Sequence, residues 1–145
     1  MDYRDSRLIN IVKSHEGFRP SMYLDSEGVP TIGYGTNLRT LVITEKEAED
    51  LMLKELRKLW SLLNVDPVFS RLSEPRKIVL MDMAYNLGYV GLRQFKNMWA
   101  ALKEGNYEKA AEEMLDSKWA RQVGRRATEL AEIMRINVLP DSYYT

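Results

Sequence analysis

Three side chains near the start of the chain have types and spacing that could do chemistry together. Glu16 is followed, after eight intervening residues, by Asp25, and after five more by Thr31. Two carboxylates in unlike surroundings are what hydrolysis of a glycosidic bond needs. One must carry a proton to the leaving oxygen. The other must stay ionised, to activate water or stabilise a sugar cation. A carboxylate at a helix C-terminus meets the negative end of the helix dipole, which makes Glu16 the candidate proton donor. Asp25 lies in Asp25-Ser26-Glu27-Gly28, a polar turn that keeps a carboxylate wet and hydrogen-bonded. By spacing alone, a surface Glu and a turn-forming Asp would account for the same two residues.

The elements that must position these groups can be read from the pattern. Residues 5–16 read as a helix: Asp5 or Ser6 can cap it, and Leu8, Ile11, Val12 and His15 share a face. Gly17 and Pro20 stop it, so Glu16 is its last or nearly last residue. Residues 18–38 are punctuated by Pro20, Gly28, Pro30, Gly33 and Gly35, and read as two or three short antiparallel strands. From residue 44 the period becomes helical. Thr44 and Glu47 form a capping box, and Ala48, Leu51, Met52, Leu56, Leu59 and Leu63 make one continuous stripe. Pro67 ends the connection. Ser73 and Pro75 open a helix that is apolar nearly all round from Ile78 to Leu87, and so is expected to be buried in the middle of others. Gly88 and Gly91 are expected to break it. Further helices follow around residues 95–102, 107–115, after Ser117, and 126–136. Leu139 to Thr145 reads as a loose tail. The fold class is α+β: a short mixed part followed by a long helical part.

Composition narrows the chemistry. The 145 residues carry 45% hydrophobic and 29% charged residues, which is ordinary globular composition and enough chain for a real core. With 21 Lys+Arg against 21 Asp+Glu the net charge is zero, so there is no general bias toward nucleic acid or anionic membrane. There is no Cys and a single His, which excludes thiol catalysis, disulfides and a His-rich metal site. The N-terminus lacks the apolar stretch of a signal peptide, and no run of about 18 apolar residues occurs. The expectation is a chain made in a host cytoplasm, acting elsewhere after release. One local excess stands out: Lys118, Arg121, Arg125, Arg126 and Arg135 face only Glu129 and Glu132 within residues 117–135.

Rival motifs fail on inspection. His15-Glu16 begins like a zinc-protease pattern, but Arg19 stands where the second His is needed. Gly33-Tyr34-Gly35 begins like a dinucleotide fingerprint, but Leu38 replaces the third Gly and no βαβ unit follows. Trp60, Trp99 and Trp119 read as core rather than as sugar platforms.

The stretch HEGFRPSMYLDSEGVPTIGYGTN resembles the catalytic signature of the bacteriophage-type lysozymes, glycoside hydrolase family 24. Glu16, Asp25 and Thr31 agree with it in type and spacing. ITEKEAEDLM resembles the family's long inter-lobe helix, MAYNLG its buried central helix, and the run from Tyr107 through Ser117-Lys118-Trp119 to Arg125-Arg126 its C-terminal helices. Coverage is about residues 8–136. The resemblance implies a single lysozyme domain: a small lobe at about 15–45 with a hairpin sheet, a connecting helix at about 44–63, and a helical lobe at about 64–137. Helix 5–16 packs on that lobe, and a cleft separates the two.

The resemblance further implies a muramidase that cleaves the β-1,4 bond between N-acetylmuramic acid and N-acetylglucosamine with inversion. Glu16 would be the general acid, with Asp25 and Thr31 positioning the water. Glu27, Asn37, Tyr85 and Asn86 would contact sugar, and Arg126 would border Glu16. No cofactor or metal is expected. The expected partner is the peptidoglycan glycan strand, met as a monomer, with neither nucleic acid nor membrane bound and with a holin as the candidate for release. The alternative is a non-hydrolytic peptidoglycan-binding or structural module on the same fold. Three features depart from the family: Thr36 stands where many members have His, the chain is neutral where many are basic, and no N-terminal export or anchor segment is seen.

Overall fold

The computed structural model describes residues 1–144, and the chain divides into two compact units, Met1–Ala48 and Glu49–Thr145. The first unit opens with α1 (Ser6–Glu16). Asp5 caps it by accepting the Arg7 backbone N–H, and the Gly17 N–H closes it on the Lys13 carbonyl. The strands β1 (Arg19–Leu24), β2 (Pro30–Gly33) and β3 (Thr36–Asn37) follow, as an antiparallel sheet in that order. Thr31, in the central strand, lies opposite Tyr23 on one side and Asn37 on the other. Pairing of β1 with β2 shifts between Arg19 and Tyr23, an irregularity that bends a short sheet.

Helix α2 (Glu45–Leu63) starts in the first unit and continues into the second. The capping box forms as expected: the Glu47 N–H donates to Thr44 Oγ1, and the Thr44 N–H to Glu47 Oε1. The continuous apolar stripe is not continuously buried. Leu59 and Leu63 are buried, whereas Leu51 and Met52 are exposed, because only the C-terminal part of this helix meets the core of the second unit.

The second unit continues with α3 (Pro67–Ser70), α4 (Glu74–Arg93), α5 (Lys96–Lys103), α6 (Tyr107–Leu115), α7 (Lys118–Val123) and α8 (Arg125–Ile136). A short 3₁₀ turn, Asp141–Tyr144, follows α8. Pro67 does not simply end a connection. Asp66 accepts the Val68 and Phe69 N–H groups and Pro67 sits at the first turn, so a one-turn helix forms and drives Phe69 into the core.

Leu63, Phe69, Leu80, Met83, Leu92, Met98, Met114 and Met134 are fully buried, each contributing about 1.5–3 kcal/mol from the apolar surface it removes from water. α4 buries one face only, which corrects the expectation of a helix enclosed all round. Val79, Leu80, Met83 and Ala84 are inside, while Ile78 and Tyr85 are 46% and 44% exposed. Gly88 does break α4, at φ 81° and ψ 160°, but Gly91 stays helical, where a side chain would crowd Leu87 Cβ at 3.0 Å.

The tryptophans divide. Trp99 and Trp119 are buried, whereas Trp60 is 42% exposed and meets Phe69 only edge-on. The tail is docked rather than loose. Leu139 packs on the core, and the Tyr143 hydroxyl donates to the Glu129 carboxylate, which raises the Tyr143 hydroxyl above its ordinary value. Thr145, the last residue of that expected tail, lies outside the described residues.

Candidate active site

Glu16, Asp25 and Thr31 all lie in the first unit, each held by short-range contacts. Glu16 is the last residue of α1, and Gly17 turns the chain at φ 69°. The turn between β2 and β3 contains Gly33 and Gly35, both at positive φ. Gly35 comes so close to Glu16 that a Cβ built there would overlap the carboxylate oxygen and lie 2.9 Å from Cδ. The glycine thus serves twice, for the backbone conformation and for the close approach. Phe18 packs on Tyr34, with ring centroids 5.6 Å apart, and Lys13 Nζ lies 5.4 Å from the Tyr34 centroid. Among the described residues, no hydrogen bond or ion pair involves the Glu16 side chain.

Asp25 organises its own loop. Its Oδ1 accepts the N–H groups of Glu27 (2.8 Å) and Val29 (2.9 Å), while Oδ2 has no protein partner among the described residues. The Val29 carbonyl accepts twice, from the Asp25 N–H at 3.0 Å and from Thr31 Oγ1 at 2.8 Å. Thr31 is the one buried polar residue among the described residues, at 4% exposure. Its hydroxyl proton is spent on Val29, so the oxygen is left as an acceptor. Glu27 belongs to the Asp25 turn, and Asn37 pairs across the sheet with Thr31. Glu27 thus neighbours the Asp25 carboxylate and Asn37 the Thr31 strand position. Asn37 Oδ1 accepts the Arg39 N–H at 2.9 Å.

The second unit holds the other expected residues. Tyr85 and Asn86 lie on the outward face of α4. Asn86 Oδ1 accepts Trp119 Nε1 at 2.7 Å, so the indole of α7 fixes the amide's direction. Arg126 is clamped by Asp82: Nε donates to Oδ2 at 3.1 Å and Nη2 to Oδ1 at 2.8 Å. These bonds hold the guanidinium above its ordinary value. Asp82 was not among the residues expected from the sequence. It is the single charge between Ile78 and Leu87, three and four residues before Tyr85 and Asn86, and that spacing was the available signal.

The family model described as phage lysozyme matches residues 13–134. The pre-baseplate central spike protein Gp5 of Enterobacteria phage T4 is 28% identical over 92% of this chain, which spans only 28% of that protein's length. Two probable T4-type lysozymes of Dictyostelium discoideum, numbered 1 and 2, are 23% and 22% identical. The alignments cover 92% and 94% of this chain, and 96% and 98% of those proteins. The matched segment contains Glu16, Asp25 and Thr31 together with α4 and most of α8, and the chain belongs to the phage lysozyme family, a family of lysozyme-type glycoside hydrolases.

Proposed function

We propose that the protein is a muramidase that hydrolyses the β-1,4 bond between N-acetylmuramic acid and N-acetylglucosamine in peptidoglycan, with inversion at the anomeric carbon. The observation that carries this reading is the contrast between the two carboxylates of one unit. Glu16 is uncommitted and rests on the Gly35 backbone, while Asp25 is tied by Oδ1 and leaves Oδ2 spare.

Hydrogen-bonding capacity supports each role. In this reading Glu16, with no internal partner, gives its proton to the leaving glycosidic oxygen. A water on the opposite face of the ring donates one proton to Asp25 Oδ2 and the other to Thr31 Oγ1. Thr31 accepts because its own proton already goes to Val29. A lone pair of that water then points at the anomeric carbon. Asp25 takes up its proton as the bond forms, and the product is the α-anomer. Glu27, Asn37, Tyr85, Asn86 and Arg126 are assigned to holding the glycan strand.

The test is loss of turbidity by outer-membrane-permeabilised cells, with wild type beside Glu16→Gln. Lysis by the wild type alone is expected. Equal lysis by both would remove Glu16 from the chemistry. No lysis by either, with binding to purified walls retained, would leave a binding module.

A further inference from the structure

We propose that Asp82 is a positioning residue for the reaction, acting through Arg126; this rests on the reading above that Arg126 serves the bound glycan. The pair is bidentate, with two side-chain N–H···O contacts of 3.1 and 2.8 Å, and Arg126 Nη2 also reaches the Asp82 carbonyl at 3.3 Å. That geometry fixes both the place and the plane of a guanidinium. Its other edge stays available, because Nη1 has no protein partner among the described residues.

Stability alone is a weak account of this arrangement. The two side chains are 36% and 40% exposed, and an ion pair so open to water adds little to folding. Asp82 also interrupts the apolar run from Ile78 to Ala84, where an apolar residue would cost nothing in propensity. What the pair does provide is direction. Asp82 and Asn86 stand one turn apart on the same face of α4, with Tyr85 beside them. Each holds a group from another helix: Asn86 the Trp119 indole of α7, and Asp82 the Arg126 guanidinium of α8.

The one other carboxylate within a helical turn of Arg126 on α8 is Glu129. It is occupied by the Tyr143 hydroxyl, 3.1 Å from both of its oxygens. Arg126 therefore has one carboxylate that holds it and one that is engaged elsewhere. The polar stripe of α4 works as a frame that presents Arg126 in a set direction.

The experiment measures kcat, KM and Tm on a soluble glycan-strand fragment for wild type, Asp82→Ala, Asp82→Asn, Arg126→Ala and the double alanine variant. Asp82→Ala is expected to lose about tenfold in kcat/KM, within the coupling seen for contacting pairs, with Tm nearly unchanged. Asp82→Asn, whose amide oxygen still accepts, should recover most of that loss. The double variant should be no worse than Arg126→Ala alone. Wild-type activity in Asp82→Ala beside an impaired Arg126→Ala overturns the positioning role only. Multiplied losses in the double variant overturn it as well. Unimpaired Arg126→Ala removes the role from both residues, and a wild type that releases no new reducing ends fails the muramidase reading itself.

Discussion

The Glu16 carboxylate lies against the Gly35 backbone at a distance that leaves no room for a Cβ. The obstacle is the far end of a flexible side chain, so Gly35→Ala can be accommodated by swinging Glu16 away. Residue 35 would also hold an L side chain at φ +79°, which costs about 1–2 kcal/mol. The expected outcome is a folded protein with slightly lowered Tm and a much larger fall in activity, at least about tenfold, since an acid moved by about 1 Å loses its alignment. Thermal unfolding and peptidoglycan hydrolysis on the same preparation check this. Activity falling only in proportion to the folded fraction would deny that Gly35 places Glu16.

Asp25 joins two tasks that substitutions can separate. Asp25→Asn keeps an oxygen to accept the Glu27 and Val29 N–H groups but removes the charge. It should fold with near-normal stability and lose about 10²-fold or more in hydrolysis. Asp25→Ala loses the turn as well, and should cost a further ~1 kcal/mol in stability. Equal Tm for the two variants would show that the loop does not depend on the carboxylate oxygen. Near-full activity of the Asn variant would reduce the mechanism to one carboxyl group.

The capping box predicts a dependence on pH. The Thr44 backbone N–H and hydroxyl hold Glu47 below its ordinary value of 4.5. A carboxyl group lowered on folding binds its proton more readily in the unfolded chain. Its stabilising effect is therefore present above the ordinary value, and is lost as the pH falls through the lowered value of the folded state. The Tm difference between wild type and Glu47→Ala should be largest near neutral pH and should narrow below about pH 4.5. A difference that widens in acid would contradict the assignment.

Much of the small unit was legible because short-range chemistry writes it. Asp5 as cap, Gly17 as stop and the Asp25 turn each use neighbours within a few residues, so α1 and the sheet could be read from residue types alone. The helix at Pro67–Ser70 was missed because a single turn is too short to show a period; its signal was Asp66 before Pro67. The α2 stripe was visible, but periodicity says which residues share a face and not how far along the helix a partner runs. For that reason Leu51 is exposed and Leu59 buried. The docked tail depends on Tyr143 meeting Glu129, and Arg126 on an Asp82 placed 44 residues earlier. No local pattern encodes such pairings. The candidate site divides the same way: spacing alone left Glu16 and Asp25 open to a surface Glu and a turn-forming Asp, and the resemblance of the whole stretch singled them out with Thr31, whereas the approach of Glu16 to Gly35 became visible only in the folded chain.

The most direct measurement of the central claim is the identity of the new reducing ends after digestion of purified peptidoglycan, reduced with borohydride and analysed by mass spectrometry. Wild type should generate reduced N-acetylmuramic acid ends that accumulate with time, and Glu16→Gln should generate none above the enzyme-free control. Reduced N-acetylglucosamine ends, no new ends at all, or equal release by Glu16→Gln would contradict a muramidase that uses Glu16 as its acid.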